Sequence, residues 1–326
     1  MKAYATLFPV ALFLREADVA ALVEIDDVID AVERGFREYG AGRAVNRPRQ
    51  RVVVEGGTLH VMAAGIPAWG MLGLKSYAVT REGRRFISLL YSADSGDLLA
   101  IMEADTLGRL RTGAASAVAT KYMARPDAGA VGIIGTGWQA GPQLQAIARV
   151  RPVALVKAYS RNPARREAFA AAMVQELGAE VVAVDSAEEA VADVDIVVTI
   201  TSARDPVLRG AWLRPGMHVN AAGANAATRR ELDGEAVARA ARIVVDSKEQ
   251  ALVEAGDLLG TAAEGRFAWD RVTELGAVVT GAVPGRQDAL EITLFKSLGV
   301  ALEDVATMHL VYTRAKETGR GEEIGL

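Results

Sequence analysis

Apolar residues near the start of the chain recur at the spacing of an α-helix. From Asp18 to Tyr39 they follow one face of a predicted amphipathic helix, and Gly40 and Gly42 are expected to end it. The preceding residues 1–14 are mostly apolar, but charged residues follow and no small-residue cleavage pattern is present. This segment is therefore predicted to be a buried strand rather than a signal peptide.

The pattern then changes to alternation, which predicts strands in series. The runs Arg51–Val54 and Thr58–Met62 are separated by Glu55-Gly56-Gly57, which is typical of a hairpin turn. Two further strands are predicted at Leu72–Val79 and Phe86–Tyr91. This first part of the chain is predicted to be α+β.

After Asp105 helices and strands alternate. A helix at Leu107–Tyr122 contains many small residues, so it is expected to pack closely against a neighbour. From residue 129 onward strand and helix alternate at the spacing of a parallel, doubly wound α/β sheet. A final helix at Val300–Lys316 is expected to return to the first part of the chain. The predicted strands of the parallel sheet are Ala130–Ile134, Ala154–Tyr159, Val181–Val184, Ile196–Ile200, His218–Ala222 and Ile243–Val245.

Composition narrows the class of protein. Hydrophobic residues make up 51% of the 326 residues, the formal net charge is −4, and no long run of lysine and arginine suits a nucleic acid. With no cysteine and three scattered histidines, no disulfide, thiolate nucleophile or metal site is expected. No run reaches the roughly 18 apolar residues of a membrane span, so a cytoplasmic protein is expected.

A dinucleotide fingerprint follows the first predicted parallel strand. The segment Gly135-Thr136-Gly137-Trp138-Gln139-Ala140 is the GxGxxA variant, placed between a short apolar strand and a helix as the motif requires. Gly135 permits the tight turn, Gly137 lets a pyrophosphate approach the backbone, and Ala140 lets helix and strand pack closely. The helix N-terminus favours the phosphates. The sequence therefore predicts a Rossmann domain that binds a nicotinamide dinucleotide.

The second parallel strand indicates which dinucleotide is preferred. NAD-preferring domains usually place an acid near its end, to bind the ribose 2′-hydroxyl. Here Ser160 and Arg161 follow the strand, with Arg165 and Arg166 just beyond. These cations favour NADP(H), with NAD(H) also possible. The alternative is that the arginines form a solvated helix face.

Several further motifs occur in a recognisable order, and together they resemble the ornithine cyclodeaminase / mu-crystallin family. The resemblance runs from about Arg51 to about Asp304. It rests on Arg111-Thr112-Gly113-Ala114-Ala115-Ser116, Pro215-Gly216-Met217-His218-Val219-Asn220-Ala221-Ala222-Gly223, Glu231-Leu232-Asp233, Val245-Asp246-Ser247, Gly256-Asp257-Leu258 and Leu294-Phe295-Lys296-Ser297-Leu298-Gly299.

The resemblance implies two domains and a homodimer. Residues 1–115 with 300–326 would form an α+β substrate-binding and dimerisation domain, and residues 116–299 the Rossmann domain. Family members move a hydride between a nicotinamide and the α-carbon of an amino or imino acid. The implied partners are a small imino or amino acid, or a 2-oxo acid plus an amine.

Three cations interrupt apolar runs and are candidates to bind the substrate. Arg51, Lys75 and Arg111 match cationic positions of the family, and an α-carboxylate is a suitable partner for buried cations. Arg49 is a rival for Arg51, and internal salt bridges are the alternative for all three. Lys75, near two arginines and away from water, would have a lowered pKa and could exchange a proton with the imine nitrogen. Met62 is expected to line the pocket.

One position departs from ornithine cyclodeaminase. That enzyme carries an aspartate where this chain has Asn225, and asparagine can neither accept a proton nor pair with a distal ammonium. An imine reductase or an amino acid dehydrogenase similar to alanine dehydrogenase is therefore favoured, with Asn225 orienting the substrate. The alternatives are a cyclodeaminase that forms proline, and a protein that binds the cofactor without turnover.

Other polar residues are expected near the cofactor, because cofactors lie at the strand ends of open α/β sheets. Four other polar residues are expected to have structural rather than functional roles. His60 and His218 are predicted to be core or interface residues, and Glu254 and Asp257 to lie on a surface helix. Trp138 is also expected to pack at the domain junction. The additional cofactor candidates are Thr112, Thr199, Thr201, Ser202, Arg229 and Ser297.

Overall fold

The computed structural model describes residues 10–325, which form two eight-stranded sheets with helices packed on them. The first sheet has the order β16-β1-β7-β6-β5-β4-β2, and β3 pairs with β4. Its neighbours are antiparallel except for β1 and β7. Its strands are β1 (Val10–Leu14), β2 (Val45–Asn46), β3 (Gln50–Val54), β4 (Gly57–Ile66), β5 (Met71–Thr80), β6 (Gly83–Ser92), β7 (Leu98–Glu103) and β16 (Glu322–Gly325).

Four helices belong with this sheet, and the last of them returns to it as predicted. They are α1 (Glu16–Leu22), α2 (Ile25–Gly40), α3 (Asp105–Met123) and α11 (Ala301–Thr318). Helix α11 packs against α2, α3, β4 and β5. The single helix predicted from Asp18 to Tyr39 is wrong, because Val23 and Glu24 adopt extended backbone angles and separate α1 from α2. The apolar spacing continues across this break, so periodicity alone does not reveal it.

The second sheet is parallel throughout, with the order β10-β9-β8-β11-β12-β15-β13-β14. The doubly wound α/β prediction is thus confirmed. Its strands are β8 (Ala130–Ile134), β9 (Leu155–Tyr159), β10 (Glu180–Ala183), β11 (Ile196–Thr199), β12 (His218–Ala221), β13 (Arg242–Val245), β14 (Val272–Glu274) and β15 (Thr293–Lys296). Its helices are α4 (Ala140–Val150), α5 (Pro163–Leu177), α6 (Ala187–Val191), α7 (Gly234–Arg239), α8 (Lys248–Glu254), α9 (Gly256–Ala263) and α10 (Leu275–Val279).

Helix α3 joins the two halves of the molecule. It packs on α2 and α11 on one side, and on α4, β12 and β15 on the other. The expected domain boundary at 115/116 falls inside this helix, so the division remains a proposal. Within residues 10–325, no helix is both long and apolar enough to cross a membrane.

Candidate active site

A cavity of about 580 Å³ lies between the two sheets, and residues from both of them line it. On the first sheet, side chains two residues apart along a strand point to the same face, so the strand register arranges the lining residues in three rows. The inner row contains Met62 and Lys75, the middle row Arg51, His60, Tyr77 and Phe86, and the outer row Val53, Thr58, Val79 and Arg84.

Lys75 lies in the inner row and is buried. Its Nζ donates a hydrogen bond to Asp304 Oδ1 at 3.0 Å. A Cβ on Gly108 would come within 2.7 Å of this Nζ, so the glycine leaves the ammonium its space. Burial lowers the pKa of Lys75 to about 8, against the opposing effect of Asp304 and with a further lowering by Arg111.

Arg111 is held beside Lys75 by acids of helix α11. Its Nε donates to Asp304 Oδ1 at 3.0 Å and its Nη1 to Glu303 Oε2 at 2.6 Å. Gly299, with φ +73°, lets the backbone approach the guanidinium. Internal ion pairs, the alternative interpretation of these cations, are therefore present. Both cations nevertheless line the cavity, and their role toward a substrate remains a proposal.

Arg49 and Arg51 share one buried carboxylate. Glu254 Oε2 accepts a hydrogen bond from Arg49 Nη1 at 3.0 Å, and Glu254 Oε1 forms an ion pair with Arg51 Nη1 at 2.7 Å. The guanidinium of Arg49 is occupied by internal contacts, since its Nη2 also donates to the carbonyls of Leu298 and Gly299. Arg51 keeps 26% of its side chain exposed, so it is better placed than Arg49 to meet a ligand. The surface interpretation of Glu254 is wrong, because the two arginines make its burial possible.

The fingerprint loop opens onto the same cavity through Gly137, Trp138 and Gln139. Gly135 has φ +110°, and a Cβ there would lie 2.4 Å from the carbonyl oxygen of Ile200. A Cβ on Gly137 would meet nothing within 4 Å, so open space lies over its backbone. Ala140 is buried at the start of α4. This loop fits a diphosphate that approaches the backbone at a helix N-terminus.

Loops after three neighbouring parallel strands complete the second side of the cavity. They contribute Thr201 and Ser202 after β11, Asn225 and Arg229 after β12, and Ser297 after β15. The hydroxyl of Ser297 is buried and has no hydrogen-bond partner among the described residues. A polar ligand at this edge would satisfy it.

Two buried carboxylates hold these loops in place. Glu231 accepts hydrogen bonds from the backbone N–H groups of Thr201 at 2.7 Å and Gly223 at 2.7 Å. Asp257 accepts from Glu231 N at 2.6 Å and pairs with Lys296 Nζ at 2.9 Å. The surface interpretation of Asp257 is therefore wrong as well, because its carboxylate compensates a buried lysine.

Comparison with known proteins identifies the family. The model of the ornithine cyclodeaminase/mu-crystallin family matches residues 10–319. The chain belongs to this family. It is 36% identical over 313 residues to the Delta(1)-pyrroline-2-carboxylate reductase of Bacillus cereus (strain ZK / E33L), a match that covers 93% of this chain and 96% of the relative.

Two solved structures of family members superpose along nearly the whole chain. The Thermococcus litoralis Delta(1)-pyrroline-2-carboxylate reductase in complex with NADH and L-proline has a TM-score of 0.92 at 38% identity, and the match covers 96% of this chain and 100% of that one. An archaeal alanine dehydrogenase dimer with bound NAD has a TM-score of 0.91 at 34% identity, covering 97% and 99%. The chain is accordingly a nicotinamide-dependent oxidoreductase of the carbon–nitrogen bond of small imino or amino acids.

Some of the residues predicted to bind the cofactor lie away from the cavity. Thr199 is fully buried beneath the end of β11 and does not line it. Thr112 does, but its hydroxyl donates to the carbonyl of Gly108 at 2.7 Å. Ser160, Arg161 and Arg165 lie beyond the cavity after β9, where both arginines are exposed. A ribose phosphate would lie on that side in a Rossmann domain, so these three remain proposals.

Two histidines differ in their surroundings. His218 is buried and bonded to Thr293 and Asn220, as expected of a core residue. His60 instead lines the cavity and stacks on Tyr77 with ring centroids 4.3 Å apart. Burial lowers its pKa to about 4, with further lowering by Arg49, Arg51 and Arg84. The signal that would have placed His60 is the spacing of two residues from Met62 along one strand.

Aromatic rings connect this wall to the fingerprint loop. The ring centroids of Tyr77 and Phe86 are 5.1 Å apart, and Phe86 stacks on Trp138 with ring centroids 5.9 Å apart. Trp138 therefore packs between the two sheets, as expected for the domain junction. Phe86 and Arg84 were not predicted as site residues, because only the strand register reveals that they share a face with Lys75.

Proposed function

We propose that the chain is a cytoplasmic homodimer that reduces the C=N bond of a small imino acid with NADPH, and that also accepts NADH. Interconversion of an amino acid with its 2-oxo acid and ammonia uses the same hydride transfer: the 2-oxo acid condenses with ammonia and loses water to form the imine that is reduced, and in the reverse direction the imine is hydrolysed. One observation carries the proposal: Lys75 and Arg111 line the same cavity as Gly137 of the dinucleotide loop. A carboxylate substrate and a nicotinamide would thus meet there.

The chain's own residues have three tasks in this reaction. A reduced nicotinamide, when bound, supplies hydride to the imine carbon. Arg51 and Arg111 hold the α-carboxylate, which fixes the position of that carbon. Lys75 gives a proton to the imine nitrogen, so the product is an amine. Met62 and the aromatic residues of the middle row limit the access of water, and Asn225 orients the substrate.

The preference for NADPH rests on the end of β9. Arg161 is exposed there, no acid stands in the next positions, and Arg165 follows in the first turn of α5. Arg166 cannot contribute, because it is buried and paired with Asp185. Since the two similar structures contain NADH and NAD, NADH is expected to support turnover as well.

A homodimer is favoured by the outer face of the first sheet. Val52, Val54, Leu59 and Ile87 lie on the face opposite the cavity and are exposed. Such an apolar patch typically marks an interface, and the similar archaeal alanine dehydrogenase is described as a dimer. Light scattering during size exclusion should give twice the 34.4 kDa chain mass. A monomer at micromolar concentration would overturn this part.

The test of the activity is oxidation of NADPH and of NADH, followed by absorbance. The substrates are pyruvate or glyoxylate with ammonia or methylamine, and the cyclic imines pyrroline-2-carboxylate and piperideine-2-carboxylate. Oxidation with any of them establishes a reductase. If none is reduced while ornithine and NAD give proline and ammonia, the chain is a cyclodeaminase in spite of Asn225. Cofactor binding without either reaction would indicate a binding protein.

A further inference from the structure

The outer row of the cavity wall contains a cation that the proposed reaction does not use. Arg84 lies opposite Val79 at the start of β6 and lines the cavity. Within residues 10–325 it forms no ion pair or side-chain hydrogen bond. It is exposed, so its charge stays solvated until a ligand binds. By contrast, Arg49, Arg51, Lys75 and Arg111 each contact a buried carboxylate.

The charge balance of the substrate side leaves room for more than one anion. Five cations of the first-sheet side line the cavity, and no acid is among the described residues that line it. Behind them stand three carboxylates, those of Glu254, Glu303 and Asp304. Even when all three are ionised, two positive charges remain. An α-carboxylate would compensate one of them, and the second is the charge of Arg84.

The position of Arg84 relative to Lys75 shows which part of a substrate it would meet. The two residues lie in the outer and inner rows, separated along the sheet by the middle row of His60 and Tyr77. The inner and outer rows are four residues apart along a strand, which is about 13 Å. The side chain of Arg84 can reach back over much of that distance. A group held by Arg84 would thus be at the far end of a short side chain whose α-carboxylate lies beside Lys75.

His60 between these rows suits an acidic side chain. Burial and, to a smaller extent, three nearby arginines lower the pKa of this ring and keep it neutral, and its Nδ1 has no hydrogen-bond partner among the described residues. A neutral imidazole can donate one hydrogen bond to a carboxylate without demanding a counter-charge. An ammonium side chain, in contrast, would lie near Arg51 and Arg84 with no acid among the described lining residues to pair with it.

We propose that Arg84 is a specificity-determining residue that binds a second, distal carboxylate, so that the preferred substrates are imino acids with an acidic side chain. This proposal rests on the proposed function and names its substrate class. A solvated arginine that gains a bidentate carboxylate forms a charge-assisted pair, while the reacting carbon and nitrogen remain beside Lys75.

The test compares acidic and neutral substrates of matched length in two variants. The pairs are 2-oxoglutarate with 2-oxohexanoate and oxaloacetate with 2-oxopentanoate, each with methylamine and NADPH. Arg84→Gln is compared with Arg85→Gln, because Arg85 is exposed on the opposite face of the same strand. Both variants lose one charge from one hairpin, and only the first loses it from the cavity.

We expect the wild type and Arg85→Gln to favour the acidic substrates, and Arg84→Gln to lower kcat/KM for them roughly tenfold to a hundredfold. Values for the neutral substrates should stay within about twofold. An equal loss on both substrate types in Arg84→Gln, or a wild type that favours the neutral ones, overturns the proposal. The cyclic imines distinguish failure of this proposal from failure of the proposed function. A wild type that reduces no imine at all contradicts the proposed function.

Binding gives a second readout that does not depend on turnover. Calorimetric titration of the wild type saturated with NADP+ should show tighter binding of glutamate than of norleucine. Arg84→Gln should remove that difference, and Arg85→Gln should keep it. Equal affinities for the two amino acids in the wild type would overturn the proposal even if the enzyme proved inactive with every imine.

Discussion

Lys75 Nζ donates to Asp304 Oδ1 at 3.0 Å, and this contact joins the centre of the first sheet to the C-terminal helix. The same oxygen accepts from Arg111, so the lysine shares its counter-charge. Burial, together with the positive charge of Arg111, lowers the pKa of Lys75 to about 8 in spite of the neighbouring carboxylate. The lysine is thus still charged at neutral pH but gives up its proton easily.

A pH dependence follows from this pKa. Imine reduction needs the protonated lysine, so kcat/KM should fall as pH rises through about 8, and oxidation of the amine should rise over the same range. Asp304→Asn removes an influence that raises this pKa, so the fall should move to lower pH. Rates measured in both directions from pH 6 to 10 check this. A flat profile, or a shift in the opposite direction, would rule out Lys75 as the proton donor.

Removing the ammonium should be more severe. Lys75→Met is expected to lower kcat by about 10²–10⁴-fold while the affinity for NADPH, measured by fluorescence titration, stays unchanged. Lys121→Met is the matched control, because Lys121 also pairs with an acid, Glu33, and does not line the cavity. Turnover near the wild-type level in Lys75→Met would refute the assignment.

The two fingerprint glycines should respond differently to alanine. A Cβ at Gly137 meets open space, so Gly137→Ala should fold normally but weaken cofactor binding about tenfold or more, because the methyl group occupies the approach of the diphosphate. Gly135→Ala should instead lower stability, since φ is +110° and the Cβ would lie 2.4 Å from a carbonyl oxygen. Thermal unfolding and cofactor titration of both variants distinguish these effects. Unchanged affinity in Gly137→Ala would contradict this view of the loop.

The sequence predicts the parallel sheet better than it predicts what holds the site together. Apolar runs predict six of its strands, but not β15, in which only Leu294 and Phe295 of four residues are apolar, and not β14, which has only three residues. Cations in apolar runs indicated Lys75 and Arg111. Their partner Asp304 lies about two hundred residues away, and the apolar pattern of α11 does not show which acids face inward. Tertiary contact alone determines such pairs.

Glu254 is expected to contribute strongly to the free energy of unfolding, although its role could not be predicted from the sequence. It is buried and compensates both Arg49 and Arg51, so Glu254→Gln leaves two cations with a neutral partner. We expect the free energy of unfolding to fall by about 3–5 kcal/mol. Glu264→Gln, which affects a partly exposed pair with Arg230, should change it by less than about 1 kcal/mol. Guanidinium denaturation measures both, and equal effects would show that Glu254 does not stabilise the arginine pair.

The preference between NADPH and NADH tests the role proposed for Arg161. This residue lies outside the cavity, so it can affect turnover only by binding the adenosine ribose of the cofactor. If it binds a 2′-phosphate, Arg161→Ser should lower kcat/KM for NADPH about tenfold and leave NADH within about twofold, as expected for one lost charge-assisted contact. Arg85→Gln, an exposed arginine far along the chain, should leave the ratio of the two cofactors unchanged. If that ratio is also unchanged in Arg161→Ser, the arginines after β9 form a solvated helix face. The preference for NADPH would then have no basis in this strand, and the chain would be expected to use NADH as readily.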